Sequence, residues 1–322
     1  MELVTKKKLM LFSGRANVPL AREIAENLGV PLGDVELSTF ANGEIYCRFL
    51  ESIRGADVFI VQSHSDPINE RLMEQLIMLD AAKRASAKRI TAVCPFYGYA
   101  RQDKKTEGRE PITARLVADL LTMAGADRVV AVDLHTGQIQ GFFNMPVDHL
   151  TALPVLSAYL ADTVEGDPVV VSPDAGRVKL AQRLAHHLDT DIAIIDKRRP
   201  RGSHNVAQAN VIVGDVEGRP AILIDDMIDT ASTVTSAAEM LVAYGATEVY
   251  VAATHGVLSG PAVDRLKNAP IREVVLTNTL PIEDGKRFPE LRVLSIAPII
   301  ADALDAVFED TSVSQIFEGD NL

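Results

Sequence analysis

Three observations predict an α/β protein made of two similar doubly wound domains with mostly parallel sheets. Short apolar runs of strand length alternate with amphipathic stretches of helical period, the order expected of βαβ units packed by helices on both faces. The pattern L-A-x-x-[I/L]-A-x-x-L occurs twice, as Leu20, Ala21, Ile24, Ala25, Leu28 and as Leu180, Ala181, Leu184, Ala185, Leu188. In each half a later helical pattern ends at Gly-Ala, and a strand follows that reaches a histidine ten residues after the glycine: Gly125-Ala126 to His135, and Gly245-Ala246 to His255. Two echoes in the same order point to one domain used twice.

Each signature helix is preceded by a short apolar strand (Leu9 to Phe12; Val169 to Val171) and a Gly-Arg turn, Gly14-Arg15 and Gly176-Arg177. STFANGEIYCRF reads as a hairpin turning at Asn42-Gly43, with Phe40 and Glu44 beside the turn. Ile90 to Val93 is a strand that delivers a charged segment, Pro95 to Leu116, to the carboxyl end of the first sheet. Arg101, Lys104, Lys105 and Arg109 stand there among Asp103, Glu107 and Glu110, and Gly108 allows movement, so the segment reads as a mobile basic loop closing over a polyphosphate. VAVDLHTG sets Asp133 and His135 at a strand end, and VVVSPDAG sets Asp174 at another. Ala221 to Ile224 is a short buried strand, and Val234 to Leu241 has a helical pattern. The distance from signature helix to Gly-Ala is 105 residues in the first half (20 to 125) and 65 in the second (180 to 245), so the first half carries about 40 more. The expected organisation is an N-terminal domain 1–150, a C-terminal domain 151–304, and a closing segment 305–322 that packs back on the N-terminal domain.

A chain of 322 residues with 47% apolar content has material for two cores. Its formal charge of −12 argues against nucleic acid as a partner, since a phosphate backbone needs a basic face. Cys47 and Cys94 are far apart and lack metal-ligand spacing, as expected of a reduced, cytosolic compartment. The apolar run in MELVTKKKLMLFSG is too short for a signal segment, and no run approaches the roughly 18 residues of a membrane span.

AILIDDMIDTASTV, Ala221 to Val234, carries the most chemical information. Asp225 and Asp226 fall at the carboxyl end of a strand, and the loop Asp229, Thr230, Ala231, Ser232, Thr233 leads into a helix. Ligands of open α/β sheets sit at such strand ends, and a helix N-terminus there offers N–H groups to an anion. A phosphate fits the loop, with Thr230 and Thr233 donating hydroxyls, while the two carboxylates read sugar hydroxyls or hold a cation; an N-cap with surface acids is the plain alternative. Asp174 suits an anion, a metal-bound phosphate or a helix cap alike. IIDKRRPRGSHNV concentrates Lys197, Arg198, Arg199 and Arg201 in an acidic protein, as phosphoryl transfer requires. Neither a Walker sequence nor a kinase-type Gly-rich loop is present, so nucleotide chemistry needs another scaffold.

FANGE, ESIRGADVFIVQS, YARQDKK, DLHTGQIQGFF, SPDAG, DKRR, DDMIDTAST and THGVLSGPA, taken in order, resemble the ribose-phosphate pyrophosphokinases over about Leu11 to Phe317. The resemblance implies two phosphoribosyltransferase-type domains, a hexamer, and transfer of a diphosphoryl group from MgATP to O1 of ribose 5-phosphate. It places Phe40, Asn42, Glu44, Arg101, Gln102 and His135 on ATP, with Asp148 reaching the nucleotide of a neighbouring subunit. His135 and Asp174 match magnesium ligands, Lys197 and Arg199 the transition-state pair, and Asp225, Asp226 and 229–233 the ribose 5-phosphate site. Ser52, Arg54, Ser86, Ser312 and Ser314 match a regulatory site at which phosphate activates and ADP inhibits. Two positions depart from the family pattern. Ser232 stands where glycine is usual, removing a positive-φ option or adding a hydroxyl, and Gly176-Arg177 replaces a pair of glycines, putting a cation where pyrophosphate would sit. A phosphoribosyltransferase would share DDMIDTAST but needs one such domain and neither the hairpin nor DKRR. A non-catalytic homologue of the synthase typically has altered loops, whereas His135, Asp174, Lys197 and Arg199 are all present here.

Overall fold

The computed structural model describes residues 7–198 and 209–317. The chain divides into two compact units, one formed by 1–151, 279–281 and 295–322, the other by 152–278 and 282–294.

The first unit opens with β1 (Leu9–Ser13) and α1 (Val18–Leu28). Asn17 caps α1 by accepting from the Leu20 N–H (3.4 Å), and Gly29 ends it at φ +66°. β2 (Val35–Thr39) and β3 (Ile45–Phe49) then form a separate antiparallel hairpin. β4 (Asp57–Val61), α2 (Ile68–Arg84), β5 (Arg89–Cys94), α3 (Thr113–Ala124), β6 (Arg128–Val132) and β7 (Val147–Leu150) follow. The five-stranded sheet runs β1-β4-β5-β6-β7 with every pairing parallel. Because helices cover both faces, its strands are continuous apolar runs rather than alternating ones. Phe12, Ile60 and Ala92 pack with Met78, Leu79 and Val117 of α2 and α3 in one core, while Leu11, Phe59 and Val93 are as deeply buried on the other face.

In the second unit α4 (Leu153–Thr163) leads to β8 (Val169–Ser172), α5 (Val178–Leu188), β9 (Asp191–Arg198) and β10 (Ala209–Val213). β11 (Ala221–Ile228), α6 (Ser232–Ala243), β12 (Val249–Gly256), α7 (Ala262–Asn268), β13 (Glu273–Thr277) and β14 (Leu291–Leu294) complete it. The seven-stranded sheet has the order β10-β9-β8-β11-β12-β13-β14, and only edge strand β10 is antiparallel to its neighbour. From β8 the chain turns to β9 on one side and returns as β11 on the other. That reversal opens a crevice outside the carboxyl ends of β8 and β11.

Both signature helices form, α1 and α5, each after the strand expected. The strand orders β1-β4-β5-β6-β7 and β8-β11-β12-β13-β14 match, so α2 corresponds to α6 and β5 to β12; the 40 residues counted as extra in the first half are instead one βα unit, because Gly125 follows α3 whereas Gly245 follows α6, the counterpart of α2. The histidine echo therefore joins non-equivalent strands: His255 is a buried residue inside β12, the counterpart of β5, whereas His135 lies beyond β6, after Asp133 at φ +37°.

The last helix, α8 (Ala297–Phe308), departs from the domain division expected. It lies wholly in the first unit, so the chain leaves the second unit at 295 rather than 305. Its composition gives the reason. Ile299, Ile300, Ala303, Leu304 and Val307 are all buried, and α8 packs against α1 and beside β7. Just past it Asp310 pairs with Lys7 (2.7 Å) and Arg89 (2.5 Å), which holds its carboxyl down at about 2, and Arg89 also pairs with Asp57. Among the described residues no helix is long and apolar enough to cross a membrane.

Candidate active site

Asp225 and Asp226 stand on β11 beyond the last residues it pairs with β8, at the β8/β11 crevice. Arg177, at the end of a one-turn segment after β8, reaches across to both: its Nε lies 3.0 Å from Asp225 Oδ1 and an Nη 2.9 Å from Asp226 Oδ1. The cation that departs from the family's glycine pair is thus turned onto the two carboxylates. Burial, then the hydrogen bond and charge of Asp226, push Asp225 above the usual carboxylate range, and Arg177 opposes that rise. The Asp226 N–H also donates to Asp225 Oδ1 (2.8 Å).

The loop 229–233 is braced from behind. Ser259 N–H donates to the Asp229 carbonyl (2.9 Å) and Arg265 donates to the Thr230 carbonyl (2.8 Å). Ala231 occupies the N-cap of α6 and supplies no side-chain cap, so the helix presents its first N–H groups beside the hydroxyls of Thr230, Ser232 and Thr233. The positive φ of the turn falls at Ala231 (+62°), while Ser232 begins the helix proper. The concern over Ser232 thus moves one residue back. Ser232→Gly is expected to change unfolding free energy by about 0.5 kcal/mol or less, its helix-propensity cost alone. Ala231→Val, which forces a β-branched residue into left-handed backbone, is expected to cost about 2 kcal/mol. Urea unfolding of both variants checks this, and a larger loss in the Ser232 variant would contradict it.

Asp174 caps its own turn: Oδ1 accepts from Gly176 N–H (2.8 Å). Oδ2 has no hydrogen-bond partner among the described residues, so this half-buried carboxylate can take one position of a hard cation. No group of three or more His, Cys, Asp or Glu that could hold a metal occurs among the described residues. His135, the other expected ligand, belongs to the first unit, as Asp174 belongs to the second. Lys197 lies near the end of β9 opposite Asn210, three residues past the last β8–β9 pair, Ser172 with Ile194. Its side chain, and the whole of Arg199, fall outside the described residues.

In the first unit the hairpin turns through three residues, Ala41 to Gly43, instead of two. Gly43 N–H donates to the Phe40 carbonyl (2.8 Å), Phe40 N–H to the Glu44 carbonyl (2.8 Å), and Gly43 takes φ +93°, the left-handed position a bulged turn requires. Asn42 accepts from Glu44 N–H (3.2 Å), and Phe40 stands 55% exposed at the tip with Tyr46 edge-on to it. Such an exposed ring suits stacking on a flat base.

The loop after β5 is a self-bonded turn in this structure. Glu110 Oε2 accepts from Thr106 N–H (2.7 Å), Thr106 hydroxyl (2.8 Å) and Glu107 N–H (3.0 Å), which lower its pKa. Buried Asp103 accepts from Thr136 (2.6 Å), tying the loop to the turn that carries His135, and Gln102 accepts from Thr113 (2.5 Å). Arg101, Lys104, Lys105 and Arg109 remain exposed.

Asp148 pairs with Arg128 (2.5 Å) and lines a cavity of about 480 Å³ together with Ser312 and Ser314, whose hydroxyls are 3.0 Å apart. Ser52, Arg54 and Ser86 do not line it. Gly55, next to Arg54, donates its N–H to the Ser86 carbonyl (2.8 Å), and the Ser52 carbonyl accepts from Lys8 (3.5 Å).

Two buried constellations on α2 were not singled out from the sequence. Glu74, fully buried, accepts from Arg15 N–H (2.7 Å), pairs with the Arg15 guanidinium, and accepts from Gln62 (2.9 Å); Arg15 also donates to Thr39 at the hairpin base (3.1 Å). A side chain at Gly14 would collide with Gln62, so this network needs the glycine. Next to it Gln75 accepts from His64 Nε2 (2.8 Å), while His64 Nδ1 accepts from Gly98 N–H (2.9 Å) at the start of the loop after β5. The available signal was polar residues, Glu74 and Gln75, at inward positions of an otherwise apolar helix face.

Burial lowers His64 to about 4, against the support of Gln75, so it is neutral when folded and takes up a proton on unfolding below about 6.5. The stability this provides is complete above that value and is lost as pH falls toward 4, about 2 kcal/mol of it by pH 5. Urea unfolding at pH 7 and pH 5 should show this drop, and His64→Gln should reduce it by about that amount. An equal pH dependence in the variant would exclude His64 as its source.

Comparison with known proteins places these features. Residues 9–125 match the family model described as the N-terminal domain of ribose phosphate pyrophosphokinase, and 200–318 match the phosphoribosyl synthetase-associated domain. A ribose-phosphate pyrophosphokinase of Streptomyces avermitilis is 57% identical over 314 residues, 97% of each chain. The chain belongs to the ribose-phosphate pyrophosphokinase family. A Mycobacterium tuberculosis pyrophosphokinase is 56% identical over 317 residues, 98% of this chain and 97% of that relative. The crystal structure of phosphoribosylpyrophosphate synthetase from Mycobacterium smegmatis matches with a TM-score of 0.89 at 56% identity, covering 94% of this chain and all of that one. The fold is accordingly the mostly parallel α/β type of these pyrophosphokinases, and the family is one of enzymes.

Proposed function

We infer that the chain makes 5-phosphoribosyl 1-pyrophosphate and AMP from ribose 5-phosphate and ATP. The observation that carries this reading is the strand–loop–helix unit of β11 and α6: two carboxylates at a topological switch point, followed by a helix N-terminus with no side-chain cap and three hydroxyls around it. The phosphate of the sugar docks on that N-terminus, and Asp225 and Asp226 accept from ribose hydroxyls. O1 attacks the β-phosphorus of ATP in line, an O1–P bond forms, the bond to the AMP oxygen breaks, and the O1 proton leaves to solvent. Phe40 stacks on adenine, Asn42 and Glu44 frame the base, and Arg101, Gln102 and His135 hold the polyphosphate. Lys197 and Arg199 neutralise charge as it moves onto the departing AMP, which is where most of the acceleration of phosphoryl transfer arises. Magnesium, held by the ATP phosphates with Asp174 and His135, would supply further charge neutralisation. The chain acts in the cytosol as a hexamer, with Asp148 reaching the nucleotide of a neighbouring subunit, and with phosphate activating and ADP inhibiting through Ser52, Arg54, Ser86, Ser312 and Ser314.

Incubation of the pure protein with ATP, magnesium and ribose 5-phosphate, with and without inorganic phosphate, checks the reading. AMP is expected to form only when ribose 5-phosphate is present, and faster with phosphate. AMP release without the sugar would overturn the reaction assigned, and no AMP under any condition would favour a non-catalytic homologue.

A further inference from the structure

We propose that Arg177 is a positioning residue for ribose, holding Asp225 and Asp226 together as one paired acceptor for two neighbouring hydroxyls. The inference rests on the assignment of the β8/β11 crevice to ribose 5-phosphate. Consecutive residues of a strand project to opposite faces, so two adjacent aspartates do not converge on a ligand unless something draws them together. Arg177 does so with separate nitrogens, at 3.0 Å and 2.9 Å from the two carboxylates. All three side chains are largely buried, at 17%, 15% and 6% exposure, which excludes the water that would otherwise loosen such pairs.

The position of Arg177 is itself fixed. Asp174 closes the turn through Gly176, and the guanidinium crosses from the end of one strand to the end of its neighbour. A planar fork suits this task and an ammonium does not, because only the fork spans two acceptors in a set geometry. Without it, two buried carboxylates face each other with less opposing charge. Burial and Asp226 already raise Asp225, and the raise would grow. The pair would then offer one acceptor in a variable orientation instead of two in a fixed one.

Ribose 5-phosphate binding to the full-length protein, measured by calorimetry without ATP, and steady-state kinetics with both substrates test the idea on Arg177→Ala and Arg177→Lys. Arg177→Ala should weaken ribose 5-phosphate and raise its KM by about tenfold or more, with kcat and the KM for ATP within about threefold. Arg177→Lys should fall between Arg177→Ala and the parent. Millimolar guanidinium should restore part of the lost affinity in Arg177→Ala, and the preference for ribose 5-phosphate over 2-deoxyribose 5-phosphate should shrink in it. Unchanged sugar affinity, or a fall in kcat alone without guanidinium rescue, would overturn the proposal. If Arg177→Ala does not fold, Arg177→Gln takes its place, since an amide can donate to one carboxylate but carries no charge. A parent protein that binds ribose 5-phosphate but forms no product would refute the reaction and leave the binding comparison intact; a parent that binds no ribose 5-phosphate would refute both.

Discussion

Lys197→Ala is expected to lower kcat for phosphoribosyl pyrophosphate formation by about 100-fold or more, with the KM of either substrate within a few-fold of the parent. β9 runs parallel to β8, and Lys197 lies beyond the end of β8, on the side where the chain also sets Asp174, Arg177 and the Asp225/Asp226 pair. A cation there acts on charge that develops only as the P–O bond breaks, so its loss falls on the transition state more than on bound substrate. Initial-rate kinetics over both substrates decide the matter. A kcat within a few-fold of the parent, or a loss confined to KM, would remove Lys197 from the charge-stabilising role.

Glu74→Ala is expected to destabilise the protein by about 3–5 kcal/mol, because it strips the buried partner from the Arg15 guanidinium and from the Gln62 amide together. Arg15 also donates to Thr39, one residue before Phe40 at the hairpin tip. The loss should therefore reach the nucleotide side as a KM for ATP raised about tenfold in the protein that remains folded. Glu74→Gln keeps an acceptor for Arg15 and Gln62 and should retain a good part of the stability. Urea unfolding and ATP kinetics on both variants provide the check. A Glu74→Ala protein as stable as the parent would show that the network contributes nothing net, as some buried ion pairs do not.

The sites legible in sequence were those whose chemistry is local. Asp225, Asp226 and the 229–233 loop lie within nine residues, and the strand–loop–helix they form needs no distant contact to be read. The hairpin was legible for the same reason, although Asn42-Gly43 suggested a two-residue turn and the backbone chose three. Both choices keep Gly43 at positive φ, and propensity alone does not separate them. Ser232 drew attention because it replaces a glycine, yet the strained position is Ala231, a difference decided by where α6 begins. Arg177 could be seen as an added cation, but its partners could not. They come from β11, about fifty residues further on, and are adjacent only through the strand order.

The sequence by itself determined the α/β class, the twofold use of one domain, and the phosphate-and-hydroxyl character of the 225–233 segment. Periodicity and short-range spacing are written in consecutive residues. The tertiary structure decided what depends on residues far apart in the chain: α8 returning to the first unit through its nearly all-round apolar surface and the Lys7–Asp310–Arg89 ion pairs, the burial of Glu74 and His64 under the hairpin and the loop after β5, and the capture of Asp225 and Asp226 by one guanidinium. A charged group's meaning depends on its partner and on the water it loses, and neither is fixed until the sheet has set its strand order.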